Sequence, residues 1–507
     1  MAKTKRQQKA ALGPYGKLGQ TINELDERLG IAKGGRTFMD KIFPDHWSFM
    51  LGEIALYSFV VLLATGIFLT LYFVPSGEMV IYKGAYAPLF GTKVSAAYGS
   101  SVDLSLFVRG GLLMRQMHHW ACDIFVGSIV VHMMRVFFTG AFRKPRETNW
   151  LVGVNLMILA ITNGFLGYSL PDDLVSGTGL RIAYSIMESV PVVGTYLAFF
   201  VFGGNFPGTA WVPRFYMLHV LLIPLLILGL LGGHLALLVR QKHTQFPGPG
   251  RTERNVVGSP MFPVFIFKTT GFLFIVAGVI ALLGAFTQIN PIWQFGQYEA
   301  ARISYAVQPD WYMGFLDGFL RIMPSWEFVA FGHTIPLEVT IPAVVFPGIL
   351  FNIIMVWPML ERKFTKDNDM HHLLERPRDN ARRTAIGASV FALVFMMFIA
   401  SSTDVIANYL HTTLNSVLVA MRVLVLIAPF VTYPVAKRIC IEMQNWEKAG
   451  ARKTVNLVTR TTEGEYVSVS APEADDAHHE SAAISVPTFL VDADNTPVST
   501  GVRTVER

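Results

Sequence analysis

The chain has 507 residues, of which 52% are hydrophobic, 12% aromatic and only 15% charged, with a formal net charge of +6 and a mean hydropathy of +0.42. Soluble domains carry about 25% charged residues, so this composition excludes an ordinary soluble enzyme and describes a chain whose solvent is lipid. The positive balance is that of loops on one side of a membrane and calls for no nucleic-acid partner.

Residues 1–46 form a polar, Lys-rich arm that is too long and too polar for a cleavable signal peptide. Apolar runs near 20 residues, enough to cross a hydrocarbon core of roughly 30 Å, then recur eight times. They extend from Trp47 to Phe73, Trp120 to Phe142, Trp150 to Leu170, Arg214 to Val239, Val264 to Phe286, Leu337 to Leu360, Ala385 to Asp404 and Ser416 to Ala436. The expected fold is an all-α integral membrane protein with eight transmembrane helices. One four-helix bundle occupies 47–254 and a second four-helix region 255–436. Residues 437–507 are polar and without apolar period, and read as a flexible tail in which His478 and His479 are solvated.

Cations fall in alternate loops: Lys3, Lys5, Arg6 and Lys9 in the arm, Arg143, Lys144 and Arg146 after the second span, and Arg362, Lys363 and Lys366 after the sixth. The opposing loops carry Asp172, Asp173, Glu299, Asp310, Asp317 and Glu327. Both termini are therefore expected in the cytoplasm.

Two cysteines, Cys122 and Cys440, are too few for an iron–sulfur cluster, and no Cys-x-x-Cys-His run is present for covalent haem. Histidine is the remaining strong ligand. In the second span His118 and His132 are 14 residues apart; on an α-helix that step returns to within about 40° of the starting face and climbs roughly 21 Å. His119 points about 140° away from His132, as a bystander or a local hydrogen-bond donor. In the fourth span His219 and His234 are 15 residues apart, about 60° off one face. The spans run in the same direction, so His118 matches His219 near the outer surface and His132 matches His234 near the cytoplasm. Opposed neutral imidazoles suit the axial positions of two b-type haems. Zinc is the rival, but two ligands at one depth fit it poorly.

Gly52 and Gly66 in the first span, and Gly153 and Gly167 in the third, repeat the 14-residue step. Glycines admit a planar macrocycle close to the backbone; ordinary small-residue helix packing is the alternative. Arg115, Arg135 and Arg214 stand within a few residues of the histidines, where guanidinium groups neutralise propionates. Arg135 also reads as a simple positive-inside residue.

With these features the chain resembles the cytochrome b subunit of respiratory cytochrome bc complexes, from about Phe43 to Lys437. The 15-residue step is similar to that of chloroplast-type and bacterial members. Pro309-Asp310-Trp311-Tyr312 resembles the family's Pro-Glu-Trp-Tyr loop, and Gly167-Tyr168-Ser169-Leu170-Pro171 its Gly-Tyr-x-Leu-Pro. The Asp at 310, the charged arm and the extended C-terminus resemble the actinobacterial branch.

The resemblance implies menaquinol oxidation at the outer face of a bacterial cell membrane. One electron passes to a Rieske iron–sulfur protein, the other through two b haems to a quinone near the cytoplasm. It further implies Asp310 as proton acceptor, Tyr312 and Tyr168 as groups that position the ring, and Gly179, Leu180, Ile182 and Ala183, beside Pro309 and Trp311, as the pocket wall. Without the resemblance Asp310 reads as a solvated loop acid. Implied partners are a diheme cytochrome c subunit, a cytochrome c oxidase, a second copy of the complex, and lipids. For the inner quinone site Glu53, His243 and Lys268 are the candidates, each equally readable as an interfacial residue snorkelling to water. Thr269 stands where the family has Asp. Two other classes offer themselves: a two-haem membrane anchor of a dehydrogenase, which lacks the Pro-Asp-Trp-Tyr loop, and a transporter, which gives no reason for histidines at matched depths.

Overall fold

The computed structural model describes residues 35, 38–302, 308–330, 332–451, 455–460 and 466–471. Most of the expected arm, and the tail beyond 471 with His478 and His479, lie outside the described residues.

Among the described residues, eight helices are long and apolar enough to cross a membrane: α1 (Trp47–Thr70), α2 (Gly111–Phe138), α3 (Glu147–Ser169), α4 (Trp211–Gln241), α5 (Met261–Phe286), α6 (Leu337–Thr365), α7 (Ala381–Ala400) and α8 (Leu414–Ala451). The fold is the expected all-α membrane architecture; strands among the described residues occur as short two-stranded pairs. Lateral faces remain apolar and exposed, as at Ile67, Phe274, Ile349 and Phe430, the reverse of a soluble surface.

Helix α1 packs along α2, α2 against α3, and α3 against α4, while α5 lies against α1 and α2. Phe59, Phe125, Val126, Leu156, Met157 and Ile227 bury themselves between these helices, and Tyr312 of the loop after α5 joins the same core.

Helix α2 begins at Gly111, nine residues before the expected Trp120. The polar run Arg115-Gln116-Met117-His118-His119 resembles an aqueous flank, but its groups have partners inside the protein. Gln116 exchanges two 2.8 Å hydrogen bonds with the backbone of Ile289, and Arg115 donates to the Asn290 carbonyl at 2.9 Å. Paired polar groups extend a helix without cost to it.

At the opposite end of α2, Arg146 donates to the carbonyls of His371 (2.6 Å) and Lys242 (3.0 Å), tying together the loops after α2, α4 and α6. Arg383, at the start of α7 with only 2% of its side chain exposed, pairs with Glu361 and Glu375.

Helix α8 continues past the expected boundary at Ala436 to Ala451. The added stretch is rich in Lys, Glu, Met and Gln, good helix formers. The tail expected to be without structure from residue 437 thus begins as helix. Separately, Val455–Arg460 and Tyr466–Ala471 form an antiparallel pair, in register from Val455 opposite Ala471 to Arg460 opposite Tyr466.

Candidate functional site

Helices α2 and α4 carry the four histidines. The His118 and His219 rings face each other with centroids 6.1 Å apart and planes at 77°. Nδ1 of His118 lies 2.9 Å from Thr65 Oγ1, and Nδ1 of His219 lies 2.9 Å from the Asn163 carbonyl. Nε2 is the nitrogen left free on each ring, the atom that would hold a metal.

Each of the four repeating glycines stands against one of the four imidazoles. A Cβ on Gly66 would lie 3.2 Å from His118, on Gly52 3.2 Å from His132, on Gly153 3.6 Å from His234, and on Gly167 only 2.3 Å from His219. A side chain at Gly167 would force the His219 ring out of its place. Nδ1 of His132 and of His234 are buried without hydrogen-bond partners, as are Arg115 Nε and Arg135 Nη2. Paired imidazoles, glycine cradles and orphaned guanidinium nitrogens are the donor set that haem and its propionates require, so the residues fit the group.

His219 falls in a π turn, Leu218–Leu222, in which the Ile223 N–H reaches back to the Leu218 carbonyl. Such turns interrupt α-helices most often at functional positions.

Between the His118–His219 pair and the loop after α5 lies a cavity of about 300 Å³, lined by Gly66, Arg115, His118, His119, Tyr168, His219 and Asp310 among others. Asp310 reaches it because residues 311–313 form a tight turn that packs on the bundle. The Trp311 ring lies against Gly127 of α2, and the Tyr312 hydroxyl against Gly164 of α3. Tyr312 donates to Asp310 Oδ2 at 2.8 Å, while His119 Nε2 lies 3.1 Å from Oδ1. Burial holds the Tyr312 phenol well above the usual tyrosine range, so it remains a donor.

Asp123 and Cys122, for which the sequence carries no expected role, also stand here, Cys122 on the cavity wall. Ligand atoms of His119, Asp123 and Asp310 all lie within 4.8 Å of one another, and Asp123 Oδ1 is buried without a partner. The signal was available: His119 and Asp123 are four residues apart on α2, hence on one face. His119 is the local hydrogen-bonding group, and its partner is the loop carboxylate.

Other expected positions differ. Gly179, Leu180, Ile182 and Ala183 sit on the helix Leu174–Glu188, but none lines the cavity. Leu180 is fully buried in the bundle core and Ile182 is exposed; an amphipathic helix turns only one face inward. Arg214 is not directed at the histidines. It is exposed and donates to the Phe199 carbonyl at 3.1 Å and to that of Phe200, in the last turn of the helix Gly194–Phe202, where carbonyls have capacity for side-chain donors.

At the far end, Glu53 accepts from Thr269 (2.9 Å) and Tyr57 (3.2 Å). Lys268 contacts Asp45 (3.1 Å) and Ser259 (3.2 Å). Ser259 pairs with Phe43 across a short strand ladder, and Phe43 packs on the buried His243 ring, centroids 4.4 Å apart. The three inner candidates therefore belong to one neighbourhood at the α1–α5 contact.

Residues 123–297 match the family model described as cytochrome b(N-terminal)/b6/petB. The chain is 48% identical over 456 residues to the cytochrome bc1 complex cytochrome b subunit of Streptomyces coelicolor, covering 90% of this chain and 84% of the relative. The chain belongs to the family of cytochrome b subunits of the cytochrome bc1 complex. A second actinobacterial member, from Mycobacterium leprae, is 47% identical over 458 residues, covering 90% of this chain and 83% of its own. A solved structure titled "Hyperthermophilic respiratory Complex III" has the same fold, with a TM-score of 0.58 at 20% identity over 82% of this chain and all of that one. As a cytochrome b subunit the chain is a multi-pass membrane component of a quinol–cytochrome c oxidoreductase, and membership of the family implies haem.

Proposed function

We propose that this subunit oxidises menaquinol at the extracytoplasmic face of the cell membrane, and that His118 with His219, and His132 with His234, hold two b haems. The observation that carries this reading is the fourfold match of glycine to imidazole, Gly66, Gly52, Gly167 and Gly153 each standing against one histidine. When bound, the two groups supply one-electron carriers at two depths of the bilayer.

The chain's own residues do the rest. Thr65 and the Asn163 carbonyl fix the His118 and His219 rings through Nδ1, leaving Nε2 as the atom that would hold a haem iron. Arg115 and Arg135 offer buried, unpartnered nitrogens to propionates. Quinol enters the cavity and brings a hydroxyl to Asp310, displacing the Tyr312 or His119 contact. Its O–H bond breaks as the Asp310 carboxylate takes the proton. Tyr168, also on the cavity wall, and Tyr312 hold the ring. Of the two electrons and two protons released, one electron and the second hydroxyl's proton leave to a Rieske iron–sulfur partner, and the other electron crosses the membrane within the chain. A quinone near Glu53, Thr269, Lys268 and His243 is reduced there, and the cycle contributes to proton motive force. The arm and tail lie in the cytoplasm. The other partners are a diheme cytochrome c subunit, a cytochrome c oxidase, lipids and a second copy of the complex.

A reduced-minus-oxidised spectrum of the purified complex, titrated with menaquinol with and without its iron–sulfur partner, tests the reading. Two b-type haems per subunit are expected, with partner-dependent turnover; absence of b-type haem overturns it.

A further inference from the structure

Helices α2 and α4 do the same task with different spacings, 14 residues from His118 to His132 and 15 from His219 to His234. On unbroken α-helices these steps differ by about 100° of rotation, the angle of one whole residue. One of the two pairs should therefore be turned out of line. It is not. Helix α3 carries Gly153 and Gly167 at a 14-residue step, yet Gly167 stands against His219 and Gly153 against His234. A 14-residue step and a 15-residue step run side by side and agree at both ends.

The surplus residue disappears in the π turn Leu218–Leu222, where Ile223 bonds five residues back rather than four. A π turn takes in one residue without advancing the helix by it. Pro224 explains the location. It has no N–H for the Val220 carbonyl and its ring crowds that carbonyl, so widening the preceding turn relieves both problems. The same grammar recurs in α6: a π turn at Ile341–Val345, Phe346 bonding back to the Ile341 carbonyl, and Pro347 next.

We propose that the π turn before Pro224 is a positioning device that subtracts one residue from α4, giving His219 and His234 the offset that His118 and His132 have on α2. The proposal rests on the two-haem reading above. It makes Pro224 a positioning residue and gives α4 a spare residue that α2 lacks.

The test compares two single-residue deletions at lipid-exposed positions in the assembled complex. Deletion of Leu221 combined with Pro224→Ala converts α4 to a regular helix with a 14-residue step. Deletion of Val131 leaves α2 with 13. The first variant is expected to retain both b haems in the reduced-minus-oxidised spectrum, and the second to lose one. Loss of a haem, or of assembly, in the Leu221 variant overturns the proposal. A wild-type complex lacking two b haems overturns the haem reading instead. A density map of the wild-type complex provides an independent arm: an Ile223 to Leu218 bond is expected, and a regular four-residue turn there rejects the device.

Discussion

Asp310 sits between two donors, and a quinol hydroxyl that reaches it replaces one of them. Asp310→Asn keeps the size of the side chain but cannot take the proton. Menaquinol oxidation is expected to fall by about 10²-fold or more while both haem bands persist; normal turnover in a stopped-flow assay would dismiss Asp310 as the acceptor. Its neighbour His119 was legible only in part. Helical angle correctly separated it from the ligand face, but nothing in the spacing announced a carboxylate 191 positions away. Asp172 offers a test by pH. Burial, against a hydrogen bond from Ser95, raises its pKa to about 7 from 3.8. Between those values the folded chain keeps a proton that the unfolded chain releases, so stability falls as pH rises from about 4 to 7. The cost has an upper bound of about 4 kcal/mol. Asp172 has φ of 55°, which Asn tolerates. Asp172→Asn should therefore narrow the difference in thermal midpoint between pH 5 and pH 8.

At the scale of the element, apolar length located all eight spans, because lipid leaves no alternative to a continuous helix. Boundaries failed where polar side chains found partners inside the protein, as at Arg115 and Gln116 in α2. The π turn was illegible for a different reason: a 15-residue step looks like a 60° error until one turn is allowed to widen. Tertiary pairing also determines the end of α6 and the start of α7. Arg383 is held by Glu361 and Glu375 and is almost wholly buried. Arg383→Ala leaves the buried Glu361 without its cation, while Glu375 keeps Arg143 at 2.7 Å, and is expected to cost about 3 kcal/mol, read as a lower thermal midpoint and yield of the complex. An unchanged midpoint would reduce the cluster to a surface ornament.

For the whole molecule, the two depths of histidine predict separable losses. His132→Ala or His234→Ala is expected to halve the b-haem content and spare the pair formed by His118 and His219; loss of all haem from either variant would mean that the bundle, rather than the ligand, had failed. The expected division into a four-helix bundle and a second helical region rests on histidine placement alone, since the last four spans carry no such pairs. The loop that brings Asp310 to the bundle was readable only through its motif, and the helical start of the tail not at all, because amphipathic sequence past a membrane surface resembles coil until a helix already under way continues into it. The π turn bears finally on descent. A codon gained or lost within residues 220–223 changes the count between two ligands without moving either, so lineages are free to drift between 14 and 15 there. The same event in α2 is lethal to the site. Of the two histidine spacings, only that of α2 is a dependable signature of ancestry, and a search that forbids a gap in α4 will miss true relatives.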